Sequence, residues 1–578
     1  MIIAFAAVAL AAAAPAQHNV LVVLADDLGV DYVSCYAEGS APPPTPTIDS
    51  LAQNGVLFRN AWAYPSCSPA RAAILTGRHP CRTMVGRWIA HPNNSGPAVG
   101  TIRAAERTLP ELLDLAATGL SHAAIGKWHM HDATFPVTVP MTLGGYSHYT
   151  GFLAGQLPDY YSWPRVSNGV EQTTTTYATI RQTDDALAWI QSRSGPWFCY
   201  LAYNEPHIPF HVPPATLHTR PNLTSGSANR EKYKAMIEAL DTELGRLLNT
   251  LGPAVVANTH IIFLGDNGSV QNMAEPPFIP SRAKGTPYEG GVNVPLIYSG
   301  PACVNPGREV TALACAVDVF STVMELTGAQ SAIPPWLAID GVSLVPYLNN
   351  PGQAPLRTFA FTEEFTGNTW PSPNQNGHAT VRNDRYKLIN RYNGTRELFD
   401  LVADPWETQN LLGGTLTATQ QQNYNALLNE IGRMRTPLGR TAAFGSPCIG
   451  SLGSPVITTV GTPRFGQSYQ PTLQGAPAQT FAILATGLSS TTYLGLPLPR
   501  SLRGYGAGPG CSMWVSLDAT AGAVTDATGS AARTIAIPNS TALLEFTMLH
   551  EWFVFDPTAP LNPLGLVTTG GLAAIFGL

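Results

Sequence analysis

Charged side chains are scarce in this chain, at 12% of 578 residues, and they nearly balance: 32 basic against 38 acidic, a net charge of −6. No Lys/Arg-rich run stands out, which removes the electrostatic footprint of a nucleic-acid-binding surface. Recognition of an anion, where it occurs, must be local. Beyond residue 14 no uninterrupted apolar run approaches the ~20 residues that cross a bilayer, so no transmembrane segment is expected. Disorder is excluded by the opposite argument, because 44% of the residues are apolar. The length exceeds that of one ordinary domain. Fifty-three Gly and 50 Pro, above the usual roughly 7% and 5%, predict many turns.

Met1 to Ala14 is an apolar run with the length of a signal h-region, followed by the small-x-small pattern Ala14-Pro15-Ala16. Residues 1–16 read as a signal peptide, although no Lys or Arg precedes the run; the alternative is a buried first strand. The expected location is outside the cytoplasm: periplasm, cell surface or medium. Eight cysteines stand at 35, 67, 81, 199, 303, 315, 448 and 511. An exported chain invites disulfides, but connectivity is not readable from sequence. The working pairs are Cys35 with Cys81, Cys303 with Cys315, and Cys448 with Cys511. Cys199, within Trp197-Phe198-Cys199-Tyr200-Leu201, reads as a buried small hydrophobe.

From residue 17 to about 350, β-branched runs alternate with amphipathic helices, the α/β signature. Val20 to Leu24 reads as a buried strand ended by Asp26-Asp27. Tyr233, Met236, Ile237, Leu240, Leu244, Leu247, Leu248 and Leu251 share one helix face that Gly252 should cap. His260 to Leu264 follows as a strand broken by Gly265-Asp266-Asn267-Gly268. In open α/β sheets the ligand crevice lies at such carboxyl ends, so the two acidic turns could meet there. Residues 351–440 shift toward strands (358–363, 379–381, 386–391, 397–401) and a helix over 420–434, a small α+β subdomain. Residues 441–578 contain no lysine and only nine charged side chains. Short strands between Gly/Pro/Ser turns suggest a β-sandwich there, stapled by Cys448 and Cys511.

The segment Cys67-Ser68-Pro69-Ala70-Arg71-Ala72-Ala73-Ile74-Leu75-Thr76-Gly77-Arg78 is the most specific in the chain. Ser68 and Pro69 suit N-cap and N1 of a short helix ended by Gly77, with Cys67 at an N-terminus that favours anions. The segment resembles the signature of the sulfatase family, Cys-x-Pro-x-Arg followed by an apolar stretch, Thr-Gly and a basic residue. The resemblance, covering residues 19 to 440, implies an alkaline-phosphatase-like mixed sheet flanked by helices. It also implies that Cys67 is converted to formylglycine by a formylglycine-generating enzyme. One hydroxyl of the hydrated aldehyde would attack sulfur and the other would later expel sulfate, dividing one hard displacement into two steps.

Asp26, Asp27, Asp266 and Asn267 supply only oxygen atoms, which suits a hard cation. By resemblance they hold Ca²⁺ together with an oxygen of modified Cys67. Resemblance further assigns Lys127 and His129, in Gly126-Lys127-Trp128-His129, to the sulfate pocket and the formylglycine hydroxyl. His207, in Pro206-His207-Ile208-Pro209, becomes the general acid. Lys284, which opens Lys284-Gly285-Thr286-Pro287-Tyr288-Glu289-Gly290-Gly291, would hold another sulfate oxygen. Arg71 would position the modified side chain. Asn293 stands where an arginine is frequent, which puts a local salt bridge in question. Ser162 could be a further sulfate contact.

The expected activity is hydrolysis of a sulfuric ester. Tyr146, Tyr149, Phe152, Tyr160, Tyr161 and Trp163 could stack on sugar rings or simply pack. Their stretch resembles the branch acting on sulfated hexosamines, so the expected substrate is a sulfated carbohydrate, with aryl sulfates as artificial ones. The alternatives are a phosphate or phosphonate ester hydrolase of the same superfamily, and a surface protein that binds sulfated polysaccharide without turning it over.

Overall fold

The computed structural model describes residues 17–90, 100–366, 376–436 and 438–578; the leader expected over residues 1–16 lies outside them. A ten-stranded mixed sheet occupies the centre. Its strands are β1 (Asn19–Ala25), β2 (Gly55–Trp62), β3 (Ser121–Lys127), β4 (His148–Phe152), β5 (Trp163–Ser167), β6 (Val170–Thr174), β7 (Trp197–Ala202), β8 (Thr259–Gly265), β9 (Leu296–Ser299) and β10 (Arg308–Cys315). In space they run β10-β2-β9-β8-β1-β7-β3-β4-β5-β6. β1 lies parallel to both β7 and β8, and β3 parallel to β7. These four strands therefore bring their carboxyl ends to one edge.

β1 is apolar from Val20 to Ala25 because both faces of the sheet are covered. Val20, Val22 and Leu24 enter one core with Phe58, Phe198 and Ile262, while Leu21 and Val23 enter the other with Leu201, Ile261 and Phe263. The helix Asn229–Ala257 covers the second face through Tyr233, Ile237, Leu240, Leu244 and Leu247. Met236 turns aside into a smaller core with Tyr160 and Trp163. Gly252, at φ +81°, breaks this helix where a cap was expected, but helical geometry resumes through Ala257. Pro253 can open that last turn because a first helical residue needs no N–H partner.

A second, antiparallel sheet of four strands follows: β11 (Ala360–Phe365), β12 (Gly377–Arg382), β13 (Tyr386–Arg391) and β14 (Arg396–Asp400). The helix Ala418–Arg435 packs Leu427, Ile431 and Met434 on its Val381, Leu388 and Leu398. Residues from 440 onward form a six-stranded and a four-stranded antiparallel sheet with small additional ribbons. Strand Arg440–Phe444 pairs with Gly571–Ile575, so this region closes on itself. It is seated on the rest through Glu545, which takes Arg78 at 3.3 Å, Arg82 at 3.3 Å and Arg440 at 3.0 Å. Arg78 also meets Glu106 at 3.1 Å, Arg103 meets Glu106 at 2.7 Å, and Arg82 meets Asp340 at 2.8 Å.

Of the working disulfides, Cys448–Cys511 is formed, with Cα atoms 4.7 Å apart. The other two are not, and all four of their cysteines are free. Cys35 packs on the core beneath the long helix, whereas Cys81 belongs to the core of the four-stranded sheet. Cys303 precedes β10 and Cys315 ends it, so a whole strand rising ~3.3 Å per residue separates them. No helix among the described residues is long and apolar enough to cross a membrane.

Candidate active site

Asp26 and Asp27 follow β1, Asp266 and Asn267 follow β8, Lys127 ends β3, and His207 lies in the turn after β7. Parallel pairing of these strands is what assembles residues so distant in sequence, at the edge where such sheets bind ligands. The helix Cys67–Thr76 enters with its N-terminus toward that edge, and Gly77 ends it at φ +69° as its sequence predicts. Its N-cap is Ser66, not Ser68, and Cys67 is its first residue. Ser68 is spent elsewhere: its Oγ accepts the Ile89 N–H at 3.0 Å.

Nine of the ten site residues named from sequence meet in one buried cluster. Cys67 Sγ lies 3.6 Å from Asp26 Oδ1, 4.0 Å from Asp27 Oδ1 and 3.6 Å from Lys284 Nζ. Lys127 Nζ is 2.5 Å from Asp26 Oδ2, and Lys284 Nζ is 2.5 Å from Asp27 Oδ1. Arg71 donates to Asp266 Oδ2 from Nε at 3.1 Å and Nη2 at 2.8 Å, and to the Lys127 carbonyl from Nη1 at 2.9 Å. Asn267 Nδ2 donates to Asp27 Oδ1 at 2.8 Å, and His207 Nε2 stands 3.7 Å from Asp27 Oδ2. The tenth residue, His129, borders the cluster, with Nε2 2.9 Å from the Ile89 carbonyl.

Burial dominates the electrostatics. It pushes the Asp26 carboxyl up to about 7 against the pull of Lys127. For Asp27 it is outweighed, and Lys284 first, with Lys127, holds the group below the usual carboxylate range. The Cys67 thiol is pushed up to about 12, with Lys127 and Lys284 offsetting only part of the burial. An unmodified thiol here is protonated and a poor nucleophile. Burial and the charge of Lys127 carry both His129 and His207 well below an ordinary imidazole, so both rings are neutral. Lys284 moves the other way, because Asp27, Cys67 and Asp26 outweigh its burial.

The donor set fits a hard dication. Asp26, Asp27, Cys67 and His207 each offer a ligand atom, all within 4.8 Å of one another. Asn267 Oδ1 is buried there without a hydrogen-bond partner, and a buried amide oxygen beside carboxylates suits Ca²⁺ or Mg²⁺. Three carboxylates face three side-chain cations, so an added dication leaves the cluster positive and receptive to an anion.

Sequence reasoning missed several supports. Gly155 admits the His129 ring, since a Cβ there would fall 2.4 Å from its Cε1. Tyr160 donates to the carbonyls of Asn204 and His207, both at 2.7 Å, and so fixes the turn that carries His207. That contact decides between the two roles open for the aromatic stretch: Tyr146, Tyr149, Phe152, Tyr160 and Trp163 are buried packing residues, and of the six only Tyr161 is exposed. Ser162 is exposed on a turn where its N–H donates to Asp159, outside the cluster. Near Asn293, Glu289 is held from the second sheet by Arg382 at 3.3 Å and Lys387 at 3.0 Å.

Residues 18–329 match the sulfatase family model, and residues 283–434 match that of the N-sulphoglucosamine sulphohydrolase C-terminal region. Human N-acetylgalactosamine-6-sulfatase is 32% identical over 367 residues, which span 58% of this chain and 67% of that protein. Human arylsulfatase A is 27% identical over 486 residues, 74% of this chain and 89% of that one. Among solved structures, Ps i-CgsB in complex with k-i-k-neocarrahexaose superposes with a TM-score of 0.60 at 25% identity, covering 72% of this chain and 93% of its own. BT4656 in complex with its substrate D-glucosamine-2-N,6-O-disulfate shares the fold, with a TM-score of 0.57 at 22% identity, covering 72% of this chain and 98% of its own. With the family model spanning more than half its length, this chain is a member of the sulfatase family.

Proposed function

We propose that this sulfatase is exported and releases inorganic sulfate from a sulfated carbohydrate, with formylglycine at Cys67 and Ca²⁺ at Asp26, Asp27, Asp266 and Asn267. The observation that carries the reading is the convergence of Cys67 with those four oxygen donors and with Lys127, Lys284 and His207 in a single buried cluster. When present, the modified side chain supplies an oxygen nucleophile and the ion supplies positive charge against the sulfate oxygens. Lys127 and Lys284, now on Asp26 and Asp27, are placed to turn to the sulfate. His207 holds Nδ1 2.9 Å from the Ile208 carbonyl, which leaves Nε2 to face the reacting group. An arriving anion favours the protonated ring, so substrate itself equips His207 to hand a proton to the leaving alcohol. Arg71 fixes Asp266 with a two-pronged contact that lysine could not reproduce. Export is supported by the Cys448–Cys511 bridge, which persists in oxidising compartments. The sugar assignment is supported by the N-acetylgalactosamine-6-sulfatase relative.

The test is hydrolysis of an aryl sulfate against its matched aryl phosphate, with peptide mass measured across residue 67. Faster sulfate release and an aldehyde at 67 are expected; faster phosphate release would overturn the reading. Cys67→Ala should lower turnover at least ~10³-fold while shifting stability by only ~1 kcal/mol. Dialysis against a chelator should likewise remove activity, and added Ca²⁺ should restore it.

A further inference from the structure

A second group of buried charge borders the cluster from the side of the four-stranded sheet. Glu364, on β11, meets Arg87 Nε at 3.1 Å, and its cross-strand partner His378 stands with Nε2 4.0 Å from the other carboxylate oxygen. The segment bearing Arg87 runs from that sheet into the active cluster. Its Gly86 carbonyl accepts the Phe365 N–H at 3.1 Å. Two residues after Arg87, Ile89 donates to Ser68 and offers its carbonyl to His129. Burial pushes the Glu364 carboxyl up to about 7, and the charges of Arg87 and, less, Lys284 pull it back. Burial holds His378 down at about 3, and the ring is neutral. The Arg87 side chain keeps 35% of its surface in solvent against 9% for Glu364, so the guanidinium is partly open to solvent while the carboxylate is covered.

We propose that Glu364, matched by Arg87, is a specificity-determining residue that favours a sugar ring whose only anionic group is the sulfate being removed. This rests on the sulfated-carbohydrate reading above. Arg71, Lys127 and Lys284 each stand opposite a carboxylate of the cluster, and Arg87, two residues before the Ile89 that contacts Ser68 and His129, stands opposite Glu364. A ring bearing a second sulfate or a carboxylate on that side meets, among these residues, cations already matched by carboxylates and the Glu364 carboxylate itself. Hydroxyl groups suit the same place, because an ionised carboxylate only accepts and can take two neighbouring donors.

The experiment measures competition with 4-nitrophenyl sulfate hydrolysis at pH 8, where Glu364 is ionised, so inhibition is read whether or not the competitor is turned over. The probes are a monosulfated N-acetylhexosamine and an N,O-disulfated glucosamine. In wild-type enzyme the monosulfated sugar should have the lower Ki by ~10-fold. Glu364→Gln removes the carboxylate that answers Arg87 and should narrow or reverse that ratio by ~10-fold. Arg87→Gln removes the cation that pulls the Glu364 carboxyl back and so lifts it further, so this variant is read across rising pH up to its plateau, where the uncompensated carboxylate should widen the ratio. A merely supporting pair would weaken both sugars alike in both variants. No wild-type preference, or a ratio that either variant leaves unchanged or that both move the same way, overturns the proposal; if one variant does not fold, the other decides. Failure of the sulfatase reading is distinguishable, since 4-nitrophenyl sulfate itself would then go uncut.

Discussion

The helix Cys67–Thr76 carries a charge cluster at each end, and the two are built on opposite principles. At its start, Arg71, Lys127 and Lys284 face Asp26, Asp27 and Asp266, one cation to each carboxylate, and burial still lifts Asp26 to about 7 while Asp27 stays low. Asn267 Oδ1 is left without a partner. Just past its end, Arg78 and Arg82 meet Glu545 with Arg440, so three arginines share that carboxylate, while Arg78 also holds Glu106 and Arg82 also holds Asp340. Burial pushes Glu545 up, yet those arginines hold it down at about 2. The first cluster is undersupplied and can respond to an arriving ion or ester; the second is saturated and can only hold.

The contrast is open to three direct attacks. Arg71→Ala removes the two-pronged hold on Asp266 at the responsive end and should lower kcat on an aryl sulfate at least ~10³-fold; a smaller loss would mean that Asp266 keeps its place without it. Glu545→Gln leaves three arginines around a neutral amide at the holding end. Its unfolding free energy in urea should drop by roughly 3 kcal/mol, with kcat on the folded enzyme within about twofold of wild type. A large kcat effect would erase the division between the two ends. The third uses pH. Glu545 binds protons more weakly folded than unfolded, so its contribution is fully present above about 4.5, the ordinary value, and is lost as pH falls toward about 2. By pH 3 about 2 kcal/mol of it should be gone, and Glu545→Gln should flatten that part of the stability curve.

What could be read from the chain beforehand was local. β1 and β8 are apolar because they are buried on both faces, and Asp26-Asp27 and Asp266-Asn267 break them, so periodicity and turn residues located both. The cysteine segment announces itself by spacing. What escaped depends on which distant segments touch. Cys35 and Cys81 lie in separate cores, a fact no spacing records. Tyr160 looks the same in sequence whether it faces a sugar or, as here, two carbonyls. Glu364 and Glu545 each take their meaning from arginines hundreds of residues away, and neither sits in a motif.

Arg78 and Glu545 are 467 positions apart. A chain emerging at ~5–20 residues per second makes the second available roughly 20–90 s after the first. For that interval the end of the helix beginning at Cys67 lacks the carboxylate that ties it to the C-terminal sheets, although Glu106, which also holds Arg78, and Asp340, which holds Arg82, emerge earlier. The hold from the C-terminal sheets is thus the last to close, at a time set by ribosome speed and by how far downstream the chain has placed a single glutamate.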